Sequence, residues 1–214
     1  MTEIIQSVGE IDVLIPCATN TSSFEGGTAV HPTKTIKTEN LAADYTVNVI
    51  GLFHMVREFL ALPSTASGGP KSVIHVSSCA AQLYIPGMAA YCSTKSAANQ
   101  IVTNFGFDEP EGNVKFYSYH PGSIATPLAT EYVPADGVTW EDGEFFVPQI
   151  AGLGLFLMNF AVKLSGDFAV WLASPEANFL NGRYVWAAWD VDEMIAMKEK
   201  VASDPSLLTM SLVK

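Results

Sequence analysis

The sequence predicts an α/β fold, a mostly parallel sheet of about four strands covered by helices and built from one domain spanning residues 1–214. Two observations carry this expectation. Short apolar runs alternate along the chain with long helical patterns, the signature of strands joined by crossover helices. Apolar residues make up 49% of the chain and charged residues 15%, which supplies a large core and excludes a disordered chain or a coiled coil.

Residues 11–16 (IDVLIP), 72–76 (SVIHV) and 114–119 (VKFYSY) read as short buried strands. A fourth is expected at residues 183–186 (RYVW), after a helix ending near Ala173. Between the first two strands a helix is expected over residues 39–62, with Thr38 as its N-cap and Pro63 as its stop. A second helix is expected over residues 87–107, with small residues on one side for close packing, and a polar tail helix over residues 191–201. Residues 64–70 (STASGGP) read as a surface turn.

Residues 145–162 run for 18 positions without a charge, the lower edge of a membrane-spanning length. Pro148, Gln149, Gly152, Gly154 and Asn159 dilute that run, and Lys163 with Asp167 closes it, so it reads as a buried or pocket-lining helix pair. A membrane-associating lid is the alternative. Residues 128–165 are accordingly expected to form an apolar substrate lid, with Phe145, Phe146, Leu153 and Phe156 lining the pocket.

The formal charge of −11 is the wrong sign for gripping a phosphate backbone, so nucleic acid is excluded as a partner. Cys17, Cys79 and Cys92 lie far apart without ligand spacing, which argues against a disulfide framework and against a metal site. The start MTEIIQSVGE has no basic or apolar leader, so a cytoplasmic, reducing location is expected.

Tyr91 and Lys95 stand four residues apart (YCSTK), so on a helix they share one face. A neighbouring ammonium favours phenolate, and the spacing predicts a lowered tyrosine pKa suited to acid–base work. Ser77 and Ser78 close the strand SVIHV, at the strand end where open α/β sheets bind ligands.

With these residues the chain resembles the short-chain dehydrogenase/reductase family, whose catalytic Ser, Tyr and Lys have this spacing. Asn48 in VNVIGLF matches the asparagine that completes the family's tetrad, and the segment HPGSIATP at residues 120–127 is similar to its Pro-Gly loop. The end of the chain, from WLASPEANFLNGRYVW onward, is similar to fungal members. The resemblance implies catalytic roles for Asn48, Ser78, Tyr91 and Lys95. It further implies that NAD(P), if bound, would meet Lys95, Pro121, Gly122, Ile124 and Thr126.

The family begins with a glycine-rich turn and two βαβ units that seat the dinucleotide, and no GxGxxG occurs in this chain. The fold expected is therefore a truncated, Rossmann-like three-layer α/β/α arrangement. Where the family has Asn-Asn-Ala-Gly, this sequence reads Pro16-Cys17-Ala18-Thr19, and the threonine β-carbon replaces a glycine. The favoured reading is an enzyme without a cofactor, whose Ser78 and Tyr91 polarise a carbonyl for isomerisation, dehydration or cyclisation of a small apolar substrate, such as a polyketide or terpenoid, in secondary metabolism. The alternatives are an ordinary NAD(P)-dependent carbonyl reductase or alcohol dehydrogenase and a non-catalytic binding module.

Of the remaining candidates, His120 ends a strand beside the site and is a possible second acid or base, whereas His75 reads as a hydrogen-bonded core histidine. Trp186 and Trp189 read as core or interface aromatics. Missing neighbours would leave residues 11–16 as an apolar sheet edge. A homo-oligomer, dimer or tetramer, is therefore expected, with residues 1–10 capping or exchanging across that edge.

Overall fold

A computed structural model describes residues 2–24, 31–62, 71–108, 113–122, 124, 144–145, 157–158 and 162–212. Helix α1 (Thr2–Val8) leads into strand β1 (Val13–Leu14). The next helical stretch is interrupted: α2 (Thr38–Tyr45) passes through a π-helical turn (Thr46–Gly51) into α3 (Leu52–Leu60). Strand β2 (Lys71–Val76), helix α4 (Ala89–Asp108) and strand β3 (Val114–His120) follow.

Strands β4 (Glu144–Phe145) and β5 (Leu157–Met158) pair antiparallel, apart from the main sheet. Helix α5 (Val162–Leu172), strand β6 (Arg183–Trp186) and helices α6 (Val191–Ala196) and α7 (Lys198–Ser203) complete the described chain.

The main sheet has the order β1-β2-β3-β6, and every pairing in it is parallel. Side chains alternate across it, as strand geometry requires. Val73 and Phe116 pack with Leu52, Val56, Phe59, Ala98 and Val102 beneath α3 and α4. Ile74, Tyr117, Tyr119 and Val185 pack with Phe168, Leu172 and Leu180 on the α5 side. The three-layer α/β/α architecture and the four-strand parallel sheet follow directly.

Three details differ from the sequence expectations. The helix expected over residues 39–62 carries the π turn, which widens the backbone at Asn48. Its N-cap is Lys37, which makes no side-chain cap bond, while Thr38 is already helical. Within the apolar run the described residues 145 and 157–158 are extended, so these positions are strand rather than helix.

The contact between α4 and the turn before β6 is very close. A β-carbon at Gly106 would stand 2.5 Å from Gly182 Cα, and Asn181 seals the contact by donating to Gly106 O (2.8 Å) and accepting from Phe116 N (2.9 Å). Beyond β6 the tail runs alongside the sheet: Tyr184 N donates to Leu208 O (2.8 Å), and Arg183 donates to the carbonyls of Val201, Pro205 and Leu207. Among the described residues no helix is long and apolar enough to cross a membrane.

Candidate active site

Ser78 and Tyr91 meet at the C-terminal end of β2. Past the strand, Ser77 N donates to Tyr119 O (2.8 Å), which carries the chain along the sheet to Ser78. Ser78 is extended and caps the short turn Cys79–Ala81, its Oγ accepting from Ala80 N (3.2 Å). Two strands hold this turn from the side: Tyr184 Oη donates to Ser78 O (2.8 Å), and Cys79 N donates to His120 Nδ1 (3.1 Å).

Tyr91 reaches the site from the first turns of α4. Burial pushes its phenol up to about 12, and the neighbouring Ser78 side chain opposes that rise. Lys95, one turn on, is itself buried; its ammonium donates to Val76 O (3.1 Å) and lies 5.8 Å from the Tyr91 ring centroid. Burial lowers Lys95 to about 8, against the attraction of the Cys17 thiol. The phenol lies above its usual range rather than below it as the four-residue spacing predicts, because desolvation is the largest influence on it. The phenol is therefore a proton donor at neutral pH.

Asn48 sits in the π turn, and its amide faces the loop after β1. Its Oδ1 accepts from Asn20 N (2.6 Å) and Thr19 Oγ1 (3.3 Å), and its Nδ2 donates to Asn20 O (2.9 Å) and Thr94 Oγ1 (3.3 Å). It ties the loop to α4 at Thr94, three residues from Tyr91.

Asp44, one turn earlier and buried, was not singled out by sequence reasoning. Its carboxylate accepts from Asn20 Nδ2 (3.1 Å), Ser22 N (2.7 Å), Ser23 N (3.3 Å) and Ser23 Oγ (2.5 Å). The readable signal was its spacing, since Asp44 and Asn48 share a helix face as Tyr91 and Lys95 do.

His120 is buried, and burial lowers it to about 4. Accepting at Nδ1 requires the neutral ring with its proton on Nε2. The ring stands edge-on to Trp186, with centroids 4.7 Å apart, and Trp186 stacks on Trp189 (6.2 Å, 3°). His75 is buried and has no hydrogen-bond partner at either nitrogen among the described residues, where a hydrogen-bonded histidine is expected, and burial lowers it to about 3. All three cysteines are free thiols.

Pro121, Gly122 and Ile124 follow β3 at the same end of the sheet, with Gly122 at φ +91°, a conformation glycine adopts freely. Thr126, Phe146, Leu153 and Phe156 lie outside the described residues, and Phe145 is described only as part of β4.

The short chain dehydrogenase family model matches residues 1–137, which include Asn48, Ser78, Tyr91, Lys95 and the Pro-Gly loop. The chain belongs to the short-chain dehydrogenase/reductase family. It is 38% identical over its whole length to the short chain dehydrogenase/reductase AacuD of Aspergillus aculeatus and 36% identical to nsrO of Aspergillus novofumigatus. A short chain dehydrogenase/reductase of Claviceps purpurea is 32% identical over 98% of the chain. This family member spans 65%, 66% and 63% of the length of those three relatives.

Among solved structures it is similar to a gluconate 5-dehydrogenase from Burkholderia cenocepacia in complex with NADP and tartrate. That match has a TM-score of 0.68 and 21% identity, and covers 86% of this chain and 66% of the other. A 3-ketoacyl-(acyl-carrier-protein) reductase from Brucella melitensis complexed with NADH matches with a TM-score of 0.69 and 18% identity, over 86% and 69% of the two chains. These likenesses establish the fold.

In this short-chain dehydrogenase/reductase two of the residues expected to meet a dinucleotide carry chemistry suited to one. Lys95 presents an ammonium at the end of β2, and Gly122 makes the backbone turn beyond β3. Thr19 departs from the family's glycine, and its hydroxyl is engaged with Asn48.

Proposed function

We propose that the chain reduces the carbonyl group of a small apolar substrate, with Ser78 and Tyr91 binding the carbonyl oxygen. The observation that carries this reading is Ser78, in a turn clamped by Tyr184 and His120, set at the strand end beside a half-buried Tyr91 whose phenol is pushed up to about 12. Ser78 and Tyr91 both donate to the oxygen, and in a site stripped of water such donors stabilise developing negative charge strongly. Tyr91 then passes its proton to that oxygen, and Lys95 behind the ring favours the phenolate left behind. By the family resemblance NAD(P)H would be held by Lys95, Pro121, Gly122, Ile124 and Thr126 and would supply the hydride. Leu83, Met88, Cys92 and Trp186, which pack with Tyr91 against the cluster of Cys79, Ala80 and Ile85, suit a greasy substrate.

The cofactor-free reading uses the same two donors to promote enolisation or enone activation. It is favoured by one observation, the threonine at the glycine position with its loop fixed by Asn48.

The test is turnover of an apolar ketone such as 1-tetralone with and without NADPH, in the wild type and in Tyr91→Phe. The substitution is expected to lower kcat by about 100-fold or more while the circular dichroism spectrum is unchanged. Turnover that survives in Tyr91→Phe rejects Tyr91 as the proton donor, and no turnover by the wild type with or without NADPH favours a binding module. A reaction independent of NADPH selects the cofactor-free reading.

We also infer that copies of the chain associate through the π turn and the start of α3, because Val47, Ile50 and Phe53 lie exposed there. A monodisperse monomer in light scattering would reject this.

A further inference from the structure

Loop 19–24 has an architecture that neither the proton-transfer roles nor the fold requires. Asp44 takes four hydrogen bonds from Asn20, Ser22 and Ser23 while almost wholly buried. The loop then closes in a tight turn, with Phe24 N donating to Thr21 O (2.9 Å). A buried carboxylate satisfied by several N–H and O–H donors holds its partners rigidly, since breaking any one leaves charge uncompensated.

The product of that rigidity is the position of Phe24, whose ring lies 5.8 Å from the Tyr91 ring, tilted by 54°. Leu83, Met88 and Trp186 pack in the small cluster with Tyr91. A substrate oxygen that reaches the Tyr91 hydroxyl brings its adjoining carbon skeleton into this aromatic surround.

We propose that Phe24 is a specificity-determining residue, an aromatic wall fixed beside Tyr91 by the Asp44-bound turn, which selects planar aromatic ketones over compact aliphatic ones. The proposal rests on the reading of Ser78 and Tyr91 as the carbonyl-binding pair. Ring faces and edges attract one another at centroid separations like the one seen here, and a flat aromatic ketone offers Phe24 a surface that a saturated ring does not.

The experiment is an NMR titration of the full chain, with and without NADP+, using 1-tetralone and cyclohexanone as probes. The proteins are the wild type, Phe24→Ala, Phe24→Tyr and Tyr91→Phe. Phe24→Ala is expected to weaken 1-tetralone binding by about fivefold and to leave cyclohexanone within about twofold. Phe24→Tyr is expected to keep the wild-type preference, which separates loss of the ring from loosening of the loop.

An unchanged preference in Phe24→Ala, a lost preference in Phe24→Tyr, or no 1-tetralone binding by the wild type overturns the proposal. Tyr91→Phe reports on the carbonyl-binding reading separately. It is expected to weaken both ketones equally, and affinities unaffected by it reject that reading even where the Phe24 preference persists.

Discussion

Replacing Lys95 by methionine sets stability against function. The side chain is buried, and the fall of its pKa from 10.5 to about 8 amounts to about 3 kcal/mol against the charged form. Methionine removes that penalty and fills a similar length, but it leaves Val76 O without its donor, which costs about 1 kcal/mol. At about pH 7 the variant should therefore be more stable than the wild type by about 2 kcal/mol.

The sign follows from proton binding. Between pH 8 and pH 10.5 the unfolded chain holds the Lys95 proton while the folded chain has released it, so wild-type stability rises with pH across that window. Above it the lysine is neutral in both states and the advantage of methionine disappears. Urea denaturation followed by circular dichroism at about pH 7, 9 and 10.5 measures this. A variant less stable than the wild type at neutral pH, or a difference that stays constant across the window, would refute the reasoning. Carbonyl turnover by the variant should be lost, because Tyr91 loses the ammonium behind its ring.

Two further outcomes are expected. Acid should unfold the protein through His75 and His120, which stay neutral in the fold down to about 3 and about 4 while the unfolded chain protonates near 6.5. Stability should thus fall below about pH 6.5, by up to about 5 kcal/mol through His75 alone, and His75→Leu should flatten that limb in denaturation curves taken between about pH 7 and 4. Gly106→Ala should cost about 2–4 kcal/mol in the urea midpoint, since the new methyl meets backbone atoms of Gly182 that no side-chain rotation can move.

Much of the sheet is readable from the residues. The strands expected at 72–76, 114–119 and 183–186 are each found within one residue of their ends, because apolar β-branched and aromatic runs buried on both faces have few alternatives. Strand β1 is shorter than its apolar run suggests, with Val13 and Leu14 only half-buried at the sheet margin. The π turn carries no proline, and its single glycine gives no distinctive signal. The apolar run near residue 150 has no periodicity to separate helix from strand, and β4 and β5 occupy its described part.

In the site, the order of Ser78, Tyr91 and Lys95 marks the acid–base group, but spacing says nothing about desolvation, which decides the direction of both pKa shifts. Asp44 escaped notice because its partners lie more than 20 residues away, in a loop without a motif.

The two margins of the main sheet are unequal. On the β6 side the tail already supplies a backbone acceptor to Tyr184 and anchors itself through Arg183, so that flank is closed to newcomers. On the other flank β1 ladders only with β2 among the described strands. Growth of the sheet, whether by more of a polypeptide or by another molecule, therefore meets fewer occupied backbone groups at the β1 flank than at the flank where the tail is already bonded.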